Sequence, residues 1–551
     1  MFINEEWVPK FFSLAKNGIR MDQIKRDIQS GILVGIIALP LAIAFAIASG
    51  AGPEQGLVTA ILSGFIISLF GGSRVQIGGP TGAFIVVILS IQGRYGYEGL
   101  LISTIMAGII LIIMGLLRMG SLLKYVPQTL ITGFTTAIAV LILTTQVKDF
   151  LGLPAAGIPE AFLGKWIFYA GNIGKANPYA ILVGSLTVAL VVFLPRASRK
   201  IPPAIAAIVV TAALAALLKI PVETIASRFG DLEFRGFAFR IPSFRPEAPA
   251  VYLAPAFTIA LLGALESLLS AVVADGMIGG KHRSNVELMA QGLANVVTPL
   301  FGGLPATGAI ARTAANINNG GRTPLAGMVH AVTLLIIYLA AMPVVRFIPM
   351  PTLAGILFVV AWRMSEAREF LNLLRINVYE ALVLLTTFLL TLFTDLTVAI
   401  PVGFLLSVVL FMKRMSSAVD ISPLLTTKTE EGKIFAAEIG SHSDNIVVYE
   451  LNGPMFFGSV HHLLNIERAL MPHQSILILR FRYVPIVDSS GLKKLKMIIR
   501  NLEKKDIDFI FSGVNPALRK EFLSQDLIGD DRIFEEIGGA VECAEALLRG
   551  K

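Results

Sequence analysis

The chain has 551 residues, of which 55% are hydrophobic and only 15% are charged, and its mean hydropathy is +0.73. A soluble domain carries about 25% charged residues, so a water-soluble globule of this composition would expose too much apolar surface. The composition therefore excludes a wholly soluble protein and places most of the chain in lipid.

The charged residues are distributed unevenly along the chain. Residues 419–551 hold 16 Lys+Arg and 19 Asp+Glu, whereas residues 1–418 hold 30 and 19. The C-terminal part therefore has the composition of a soluble domain, and the part before it that of a polytopic membrane domain. Because the excess of basic residues lies between apolar segments, the net charge of +8 does not indicate a nucleic-acid partner. The single cysteine, Cys543, permits no internal disulfide.

Fourteen apolar segments predict membrane-spanning helices, because lipid offers the backbone no partner outside the helix. They lie at residues 28–49, 56–71, 80–93, 98–117, 127–147, 177–195, 201–218, 251–275, 286–301, 305–317, 323–345, 350–362, 377–394 and 396–412. Basic residues accumulate in alternate connections, which is the positive-inside pattern of a chain whose N-terminus is cytoplasmic. We therefore expect a multi-pass protein of the cell (inner) membrane, in contact with membrane lipid, with both termini in the cytoplasm.

The same pattern predicts the domain organisation. Residues 1–26 form a cytoplasmic N-terminal segment, 27–415 a transmembrane domain, 416–432 a linker and 433–551 a soluble cytoplasmic domain.

A short motif recurs in the two halves of the membrane part. The string LFGG stands at Leu69–Gly72 and again at Leu300–Gly303, and a short segment rich in Gly and Pro follows each copy. These segments open at Pro80 and Pro305. Since each half contains seven predicted spans, an odd number, the halves are inverted relative to each other. Matching broken segments in inverted halves indicate the binding site of a secondary transporter.

The broken segments favour an anionic ligand. A half-helix that begins within the membrane points unpaired N–H groups and the positive end of its dipole into the protein, and two such ends that face each other attract negative charge. Thr81 and Thr307 add hydroxyl donors. Arg312 lies two turns into the second segment, where a guanidinium is costly unless it faces a polar cavity or an anion. A fixed bond from Arg312 to Glu266 or to a carbonyl is the alternative, and the two roles can coexist.

Glu266 interrupts the apolar run at 257–274. An acidic residue at the centre of a span costs on the order of 3 kcal/mol on insertion scales. Such a group can bind and release a proton during a transport cycle, so Glu266 is the predicted ion-coupling residue. Ser270 lies near it in the sequence and is predicted to help coordinate the coupled proton or Na⁺. A permanently salt-bridged, structural Glu266 is the alternative.

The sequence contains no motif for an enzyme. No P-loop, HExxH or GxSxG is present, and the six histidines show no metal-binding spacing. We therefore expect neither catalysis nor a cofactor nor a bound metal.

The soluble part alternates strands with helices, which predicts a small α/β layer fold. The predicted strands are Ile446–Leu451, Ser475–Phe481 and Asp508–Ser512, and the predicted helices are Val460–Leu470, Ser490–Leu502 and Ala540–Leu548. Asp488, Ser489 and Ser490 stand where the middle helix begins, and such residues cap helices. Regulatory phosphorylation of Ser489 or Ser490 is the alternative role.

The chain resembles the SulP sulfate-permease family over nearly its whole length. The residues that carry the resemblance are Gly263–Gly280, Lys281–Asn285, Gln291-Gly292, Phe301–Ala315 and Asn319–Leu325. The tail resembles a STAS domain, the module shared with anti-sigma-factor antagonists, whose phosphorylatable loop matches Asp488–Gly491. The stretch around Glu266 is most similar to the proton-coupled C4-dicarboxylate-type member.

The resemblance implies a fold of seven-plus-seven inverted repeats followed by the small cytoplasmic α/β STAS domain. Spans 1–4 and 8–11 would form a core that moves against a gate made of spans 5–7 and 12–14, with the substrate between the third and tenth spans. The site residues that it implies by position are Phe45, Thr81, Ala83, Glu266, Thr307, Ala309 and Arg312. It also implies a homodimer and a cytosolic partner of the STAS domain.

Together these features predict a secondary active anion transporter that carries sulfate, bicarbonate or a C4-dicarboxylate with protons, by elevator-like alternating access. Leu41 follows Leu39-Pro40 where many sulfate-type members have Gln, which disfavours sulfate. Relatives that couple bicarbonate to Na⁺ tend to have Asp in place of Glu266 and to lack Arg312, so this chain favours protons. An uncoupled exchanger or channel, for example for chloride and bicarbonate, a Na⁺-coupled bicarbonate symporter and a membrane-anchored regulator are the alternatives.

Overall fold

The computed structural model describes residues 5–16, 18–154, 156–197, 201–230, 237–243, 249–394, 396–423, 445–463, 466, 470–471 and 473–550. The chain forms two compact units, Met1–Leu405 and Leu406–Lys551.

The first unit is helical, as the absence of backbone partners in lipid requires. Its helices are α1 (Lys10–Lys16), α2 (Met21–Ala48), α3 (Pro53–Phe70), α4 (Phe84–Leu116), α5 (Gln128–Leu151), α6 (Phe162–Asn172), α7 (Pro178–Ala197), α8 (Pro203–Leu217), α9 (Ile225–Phe229), α10 (Leu253–Ile278), α11 (Ser284–Val297), α12 (Ile310–Asn318), α13 (Leu325–Val345), α14 (Met350–Met364), α15 (Ala367–Ile376), α16 (Val378–Phe393) and α17 (Leu396–Ser417), the last of which continues into the second unit. Two short strands, β1 (Gly78–Gly79) and β2 (Thr307–Gly308), complete it.

Each predicted span overlaps a helix. The third and fourth spans are the two parts of α4, which Gly96 interrupts with a φ of 69°. Within the described residues, seven helices are long and apolar enough to cross a membrane, and three shorter apolar helices accompany them. The count of fourteen crossings therefore stays a prediction. The tenth span differs from its prediction at 305–317, because Thr307–Gly308 are extended in β2 and α12 begins only at Ile310.

The helices of the first unit pack in two groups. One group contains α2, α3, α4, α10, α11, α12 and α13, and the other contains α5, α7, α8, α14 and α16. In the first group α4 and α11 approach so closely that an ideal Cβ on Gly108 would lie 2.6 Å from the Gly292 carbonyl oxygen, and one on Gly292 would lie 2.5 Å from that of Gly108. Small residues permit this backbone contact, which is a common means of helix association in membranes.

A buried carboxylate joins the two halves at the first LFGG motif. Glu287 of α11 has no exposed surface, and one of its oxygens accepts hydrogen bonds from the N–H groups of Gly72 (2.8 Å) and Ser73 (3.0 Å). Gln291 donates a hydrogen bond of 2.9 Å to the other oxygen. The chain leaves α3 at this point, so Glu287 satisfies buried backbone donors that no helix pairs.

The second unit contains a five-stranded sheet. Its strands are β3 (Asp420–Pro423), β4 (Ile446–Asn452), β5 (Ile476–Tyr483), β6 (Asp508–Ser512) and β7 (Ile533–Phe534), and its helices are α18 (Ser489–Glu503), α19 (Pro516–Ser524) and α20 (Ile537–Gly550). The strand order is β3-β4-β5-β6-β7, with β3 antiparallel and the other neighbours parallel. Apolar clusters cover both faces, which explains why the central strands are continuous hydrophobic runs.

The tail differs from its sequence-based description at the start of the sheet. β3 lies inside the predicted linker at 416–432, so the sheet begins before residue 433. Its four residues, Asp420–Pro423, form a partly exposed edge strand, and a run this short that ends in proline is a weak signal for a strand. Within the helix predicted at Val460–Leu470, Val460–Leu463 form a 3-10 turn and Ile466 is helical, and residues 464–465 and 467–469 lie outside the described part.

The contacts of Glu287 predict a loss of stability when its carboxylate is removed. Glu287→Ala leaves the buried N–H groups of Gly72 and Ser73 without an acceptor, and each such group costs about 1–3 kcal/mol. We expect a lower melting temperature of the detergent-purified protein in a thermal unfolding assay. Glu369→Ala, which alters an exposed carboxylate on α15, is the matched control. Equal melting temperatures for the two variants would show that this junction contributes nothing to stability.

Candidate functional site

The two broken segments meet in the structure. β1 and β2 pair antiparallel, with Gly78 opposite Gly308 and Gly79 opposite Thr307. The Ala309 N–H extends the pairing with a hydrogen bond of 2.9 Å to the Ile77 carbonyl. The convergence that the repeat predicts is therefore observed, and a strand pair that links the two halves is an additional feature.

Each strand leads into a helix whose N-terminus has no side-chain cap. Ala83 is the N-cap residue of α4, and Ala309 is the N-cap residue of α12. Both alanines are buried, with 1% and 8% of their surface exposed. An alanine side chain contains no hydrogen-bond acceptor, so neither N-cap occupies N–H groups of the first turns. In α4 the N–H groups of Phe84 and Ile85 donate instead to the carbonyls of Thr81 (3.3 Å) and Gly82 (3.1 Å). Two such ends beside one strand pair form the kind of site that binds an anion.

Arg312 connects the second broken segment to the first. It is 3% exposed and donates to the carbonyl oxygens of Pro80 (2.5 Å, from Nη2) and Gly78 (3.4 Å, from Nη1). Within the described structure, no ion pair within 4.0 Å joins Arg312 to Glu266. Of the fixed partners considered for Arg312, the carbonyls are therefore observed. A guanidinium has five N–H donors, so these two bonds leave donors for a ligand.

Glu266 lies at the entrance to the first half-helix. Its Oε2 accepts a hydrogen bond of 2.8 Å from the Thr81 hydroxyl, which stands three residues before α4 begins. Both side chains are partly exposed, in contrast to the buried residues around them. The permanent salt bridge considered for Glu266 is not observed, and its carboxylate instead faces the first half-helix through a neutral hydroxyl.

The Thr307 hydroxyl forms its hydrogen bonds within the protein. It donates to the Gly263 carbonyl at 2.9 Å and lies 2.7 Å from the Ser267 hydroxyl. Ser267 in turn accepts a hydrogen bond of 3.1 Å from the Gly308 N–H. Because a hydroxyl has one proton, Thr307 does not offer the free donor that the sequence analysis expected of it. The residue instead joins β2 to α10.

Ser270 also stabilises the residues around the strand pair through hydrogen bonds. It is 1% exposed, and its hydroxyl donates to Thr313 at 3.3 Å. Thr313 accepts a further hydrogen bond of 3.0 Å from the Ile77 N–H at the start of the strand pair. No direct hydrogen bond joins Ser270 to Glu266, both of which are described. Phe45, which is 7% exposed, lies in the same apolar cluster as Ala83.

Three buried polar residues beside the site were missed in the sequence. Gln76 donates to the Ser267 carbonyl at 3.1 Å, and Asn316 donates to the Val75 carbonyl at 2.8 Å. His330 of α13 has no exposed surface. The signal for His330 was available, because it is a lone ionisable residue in an apolar span, as Glu266 is. The amides carry no such signal, since their bonds are made to distant backbone groups.

In the second unit, Asp488 caps α18. Its carboxylate accepts hydrogen bonds from the N–H groups of Gly491 (2.8 Å) and Phe457 (3.0 Å), which confirms the predicted cap. Ser489 and Ser490 occupy the first turn and are exposed. Their phosphorylation stays a prediction.

Two family descriptions match the chain. The description "Sulfate permease family" matches residues 24–387, and "STAS domain" matches residues 441–540. The "Putative sulfate transporter YvdB" of Bacillus subtilis (strain 168) is 38% identical over 533 residues, which cover 96% of this chain and 97% of that protein. The "Bicarbonate transporter BicA" of a Picosynechococcus species is 33% identical over 457 residues, which cover 80% of each chain.

Solved structures are similar as well. The transmembrane domain of a cyanobacterial bicarbonate transporter BicA aligns with a TM-score of 0.60 and 31% identity, over 71% of this chain and 98% of that one. The murine Solute Carrier 26 family member A9 anion transporter, in its inward-facing state, aligns with a TM-score of 0.86 over 98% of this chain and 94% of that one. The identity to the murine protein is 18%, so this second likeness shows the fold alone.

The geometry at Gly79 predicts that a single methyl group disturbs the site. Gly79 has a φ of +149°, and a Cβ there would contact Nη1 of Arg312. We expect Gly79→Ala to displace the guanidinium, so that a labelled anion enters proteoliposomes with a much higher KM. Gly171→Ala on α6, where a Cβ meets no atom within 4 Å, is the matched control. A wild-type KM for Gly79→Ala would show that the guanidinium tolerates this displacement.

Proposed function

The chain belongs to the sulfate permease family and carries a C-terminal STAS domain, and on this premise we propose that it is a secondary active transporter of small inorganic or dicarboxylate anions. The family and the relatives are transporters, not enzymes. The observation that carries the proposal is the meeting of two uncapped helix N-termini at a strand pair, beside the guanidinium of Arg312.

The anion is held mainly by backbone groups. The N-terminus of α12 supplies N–H donors, the N-terminus of α4 supplies the positive end of its dipole, and Arg312 supplies the full positive charge that a buried anion requires. Ala83 and Ala309 suit this arrangement because a small apolar N-cap neither occupies those donors nor blocks access to them. Arg312 is itself held in place by the Pro80 and Gly78 carbonyls.

Proton coupling is assigned to Glu266. A charged Glu266 would repel an anion bound at the adjacent half-helix, and in a site of low dielectric this repulsion is large. Protonation of Glu266 removes the repulsion, so a proton and an anion bind favourably together. Thr81 lies between the carboxylate and the first half-helix, and its hydroxyl donates a hydrogen bond to Oε2 of Glu266. This arrangement supports symport of protons with the anion.

Alternating access is assigned to movement of one helix group against the other. Thr81, Glu266 and Arg312 all lie on segments of the group formed by α2–α4 and α10–α13. A rigid movement of this core against the gate group of α5, α7, α8, α14 and α16 would carry the loaded site across the membrane without dismantling it. The proposal includes an inner-membrane location with cytoplasmic termini, a homodimer and a cytosolic partner for the STAS domain.

Uncoupled anion exchange is the second candidate. The observation that favours it is the hydrogen bond from Thr81 to Glu266, since a carboxylate held by a neutral hydroxyl is also consistent with a structural role. The similarity to BicA makes bicarbonate the first alternative substrate to sulfate. An uncoupled protein would exchange anions but would not concentrate them in a pH gradient.

Removal of the buried guanidinium tests the anion site. We expect Arg312→Ala to lower uptake of labelled sulfate, bicarbonate or succinate by proteoliposomes at least about 100-fold, because a buried anion loses its countercharge. Arg375→Ala, at an exposed position on α15, is the control for a general loss of positive charge. Purified Arg312→Ala that elutes and melts as a folded protein and still transports normally would reject the anion site.

Neutralisation of the coupling residue tests the proton role. Glu266→Gln keeps an acceptor for the Thr81 hydroxyl but does not titrate. We expect it to lose accumulation of labelled anion in response to an imposed pH gradient while it retains exchange of anion across the vesicle membrane. Accumulation by Glu266→Gln at the wild-type level would assign the proton to another group, and wild-type protein that never accumulates anion would favour the uncoupled exchanger.

A further inference from the structure

The outer edge of β2 has no strand beside it, because the sheet that β1 and β2 form contains two strands in the described structure. Backbone groups alternate sides along an extended strand, and the Ala309 N–H points to β1, where it donates to the Ile77 carbonyl. The N–H groups of Ala306 and Gly308 therefore point away from β1. Edge groups of this kind need another partner, since lipid offers none.

The side-chain amide of Asn295 takes the place of a neighbouring strand. Asn295 lies on α11 and is 1% exposed. Its Oδ1 accepts a hydrogen bond of 2.9 Å from the Ala306 N–H, and its Nδ2 donates one of 2.8 Å to the Ala306 carbonyl. An antiparallel strand supplies the same pair of bonds to a single residue. The amide therefore acts as a strand that is one residue long.

A buried polar ladder on α11, formed by Glu287, Gln291 and Asn295, holds this amide in place. Nδ2 of Asn295 also donates to the Gln291 carbonyl at 2.8 Å, and the Gln291 side chain donates to Glu287 at 2.9 Å. Residues four apart lie on the same face of a helix, and none of these three side chains is more than 1% exposed. Glu287 in turn accepts from the N–H groups of Gly72 and Ser73. One face of α11 thus binds the backbone ahead of both strands.

The register of the strand pair needs a determinant outside the two strands. Register is normally specified by alternating side chains, and it is weakly specified in glycine-rich strands. β1 is Gly78-Gly79 and β2 is Thr307-Gly308, so three of the four residues are glycine. A slip of one residue would move the chain by about 3.3 Å and reverse which backbone groups face β1. Because α12 begins two residues after β2, Arg312 would move with the strand.

We propose that Asn295 is a positioning residue for the anion site, because its amide sets the register of β2 on β1 and thereby the position of Ala309 and Arg312. Ser267 supplies one acceptor to this edge, for the Gly308 N–H, whereas Asn295 binds both backbone groups of Ala306. Asn295 acts on the anion through the start of α12 and makes no contact with the anion itself. This inference rests on the proposed function and adds a residue to the same site.

Two substitutions of similar size test the role of the amide. Asn295→Leu removes both bonds to Ala306, whereas Asn295→Asp keeps the acceptor and donates to the carbonyl only when it is protonated. We expect Asn295→Leu to raise the KM for labelled sulfate, bicarbonate or succinate, whichever the wild type takes up, about tenfold at an unchanged maximal rate. We expect Asn295→Asp to raise the KM less, and the ratio of its KM to the wild-type KM at the same pH to fall between about pH 8 and about pH 6.

Asn172→Asp on α6 is the matched control, because the Asn172 amide also donates to the carbonyl four residues earlier, at 2.9 Å, but lies outside the broken segments. A purely structural role would lower the melting temperature and leave the KM unchanged, so a wild-type KM in folded Asn295→Leu would overturn the inference. A KM ratio in Asn295→Asp that does not change with pH would also overturn it. If Asn295→Leu does not fold, this second measurement decides alone. Wild-type protein that takes up none of the three anions would instead refute the proposed function.

Discussion

The pairing of β1 with β2 is the contact on which the rest of the membrane unit depends. It consists of two residue pairs, Gly78 with Gly308 and Gly79 with Thr307, yet it solves a problem that lipid makes severe. A helix that is broken within the membrane exposes backbone groups that neither lipid nor its own next turn can satisfy. Each broken segment satisfies the other, so neither exists without its partner from the opposite half of the chain.

The polar side chains around this strand pair also join the two halves of the membrane unit by hydrogen bonds. Arg312 crosses from the second half to the Pro80 carbonyl in the first, Thr81 crosses in the other direction to Glu266, and Glu287 reaches back to Gly72. These bonds cross between the two halves in both directions and hold together the helices that carry the site. Helices held in this way can move as a unit, which is the physical requirement of the transport cycle proposed above.

The site is made largely of backbone, and this explains its glycines and alanines. Side chains at Gly79 or Gly308 would enter the space of Arg312 or Gln76, and capping side chains at Ala83 or Ala309 would compete with the proposed anion for N–H groups. Specificity then depends on the spacing of fixed donors rather than on a set of reactive side chains. That is consistent with a protein that carries an anion unchanged.

The sequence by itself determined the helical segments and the central strands of the tail, and it singled out Glu266 and Arg312 as charged residues in apolar runs. Each of these is a local signal, since hydrophobic periodicity and an isolated charge in an apolar run are readable within about 20 residues. It did not reveal β3, whose four residues gain their conformation only from pairing with β4. Nor did it reveal the partners of the polar groups.

Only the tertiary structure decided that Arg312 donates to carbonyls rather than to Glu266, and that the Thr307 hydroxyl donates a hydrogen bond to the Gly263 carbonyl. A hydroxyl or a guanidinium can satisfy many acceptors, and the choice among them depends on which helices meet. Arg312 and Pro80 are 232 positions apart in the chain, so no local pattern encodes their contact. The packing of the two inverted halves makes that choice, because it alone sets which donors and acceptors share a buried space.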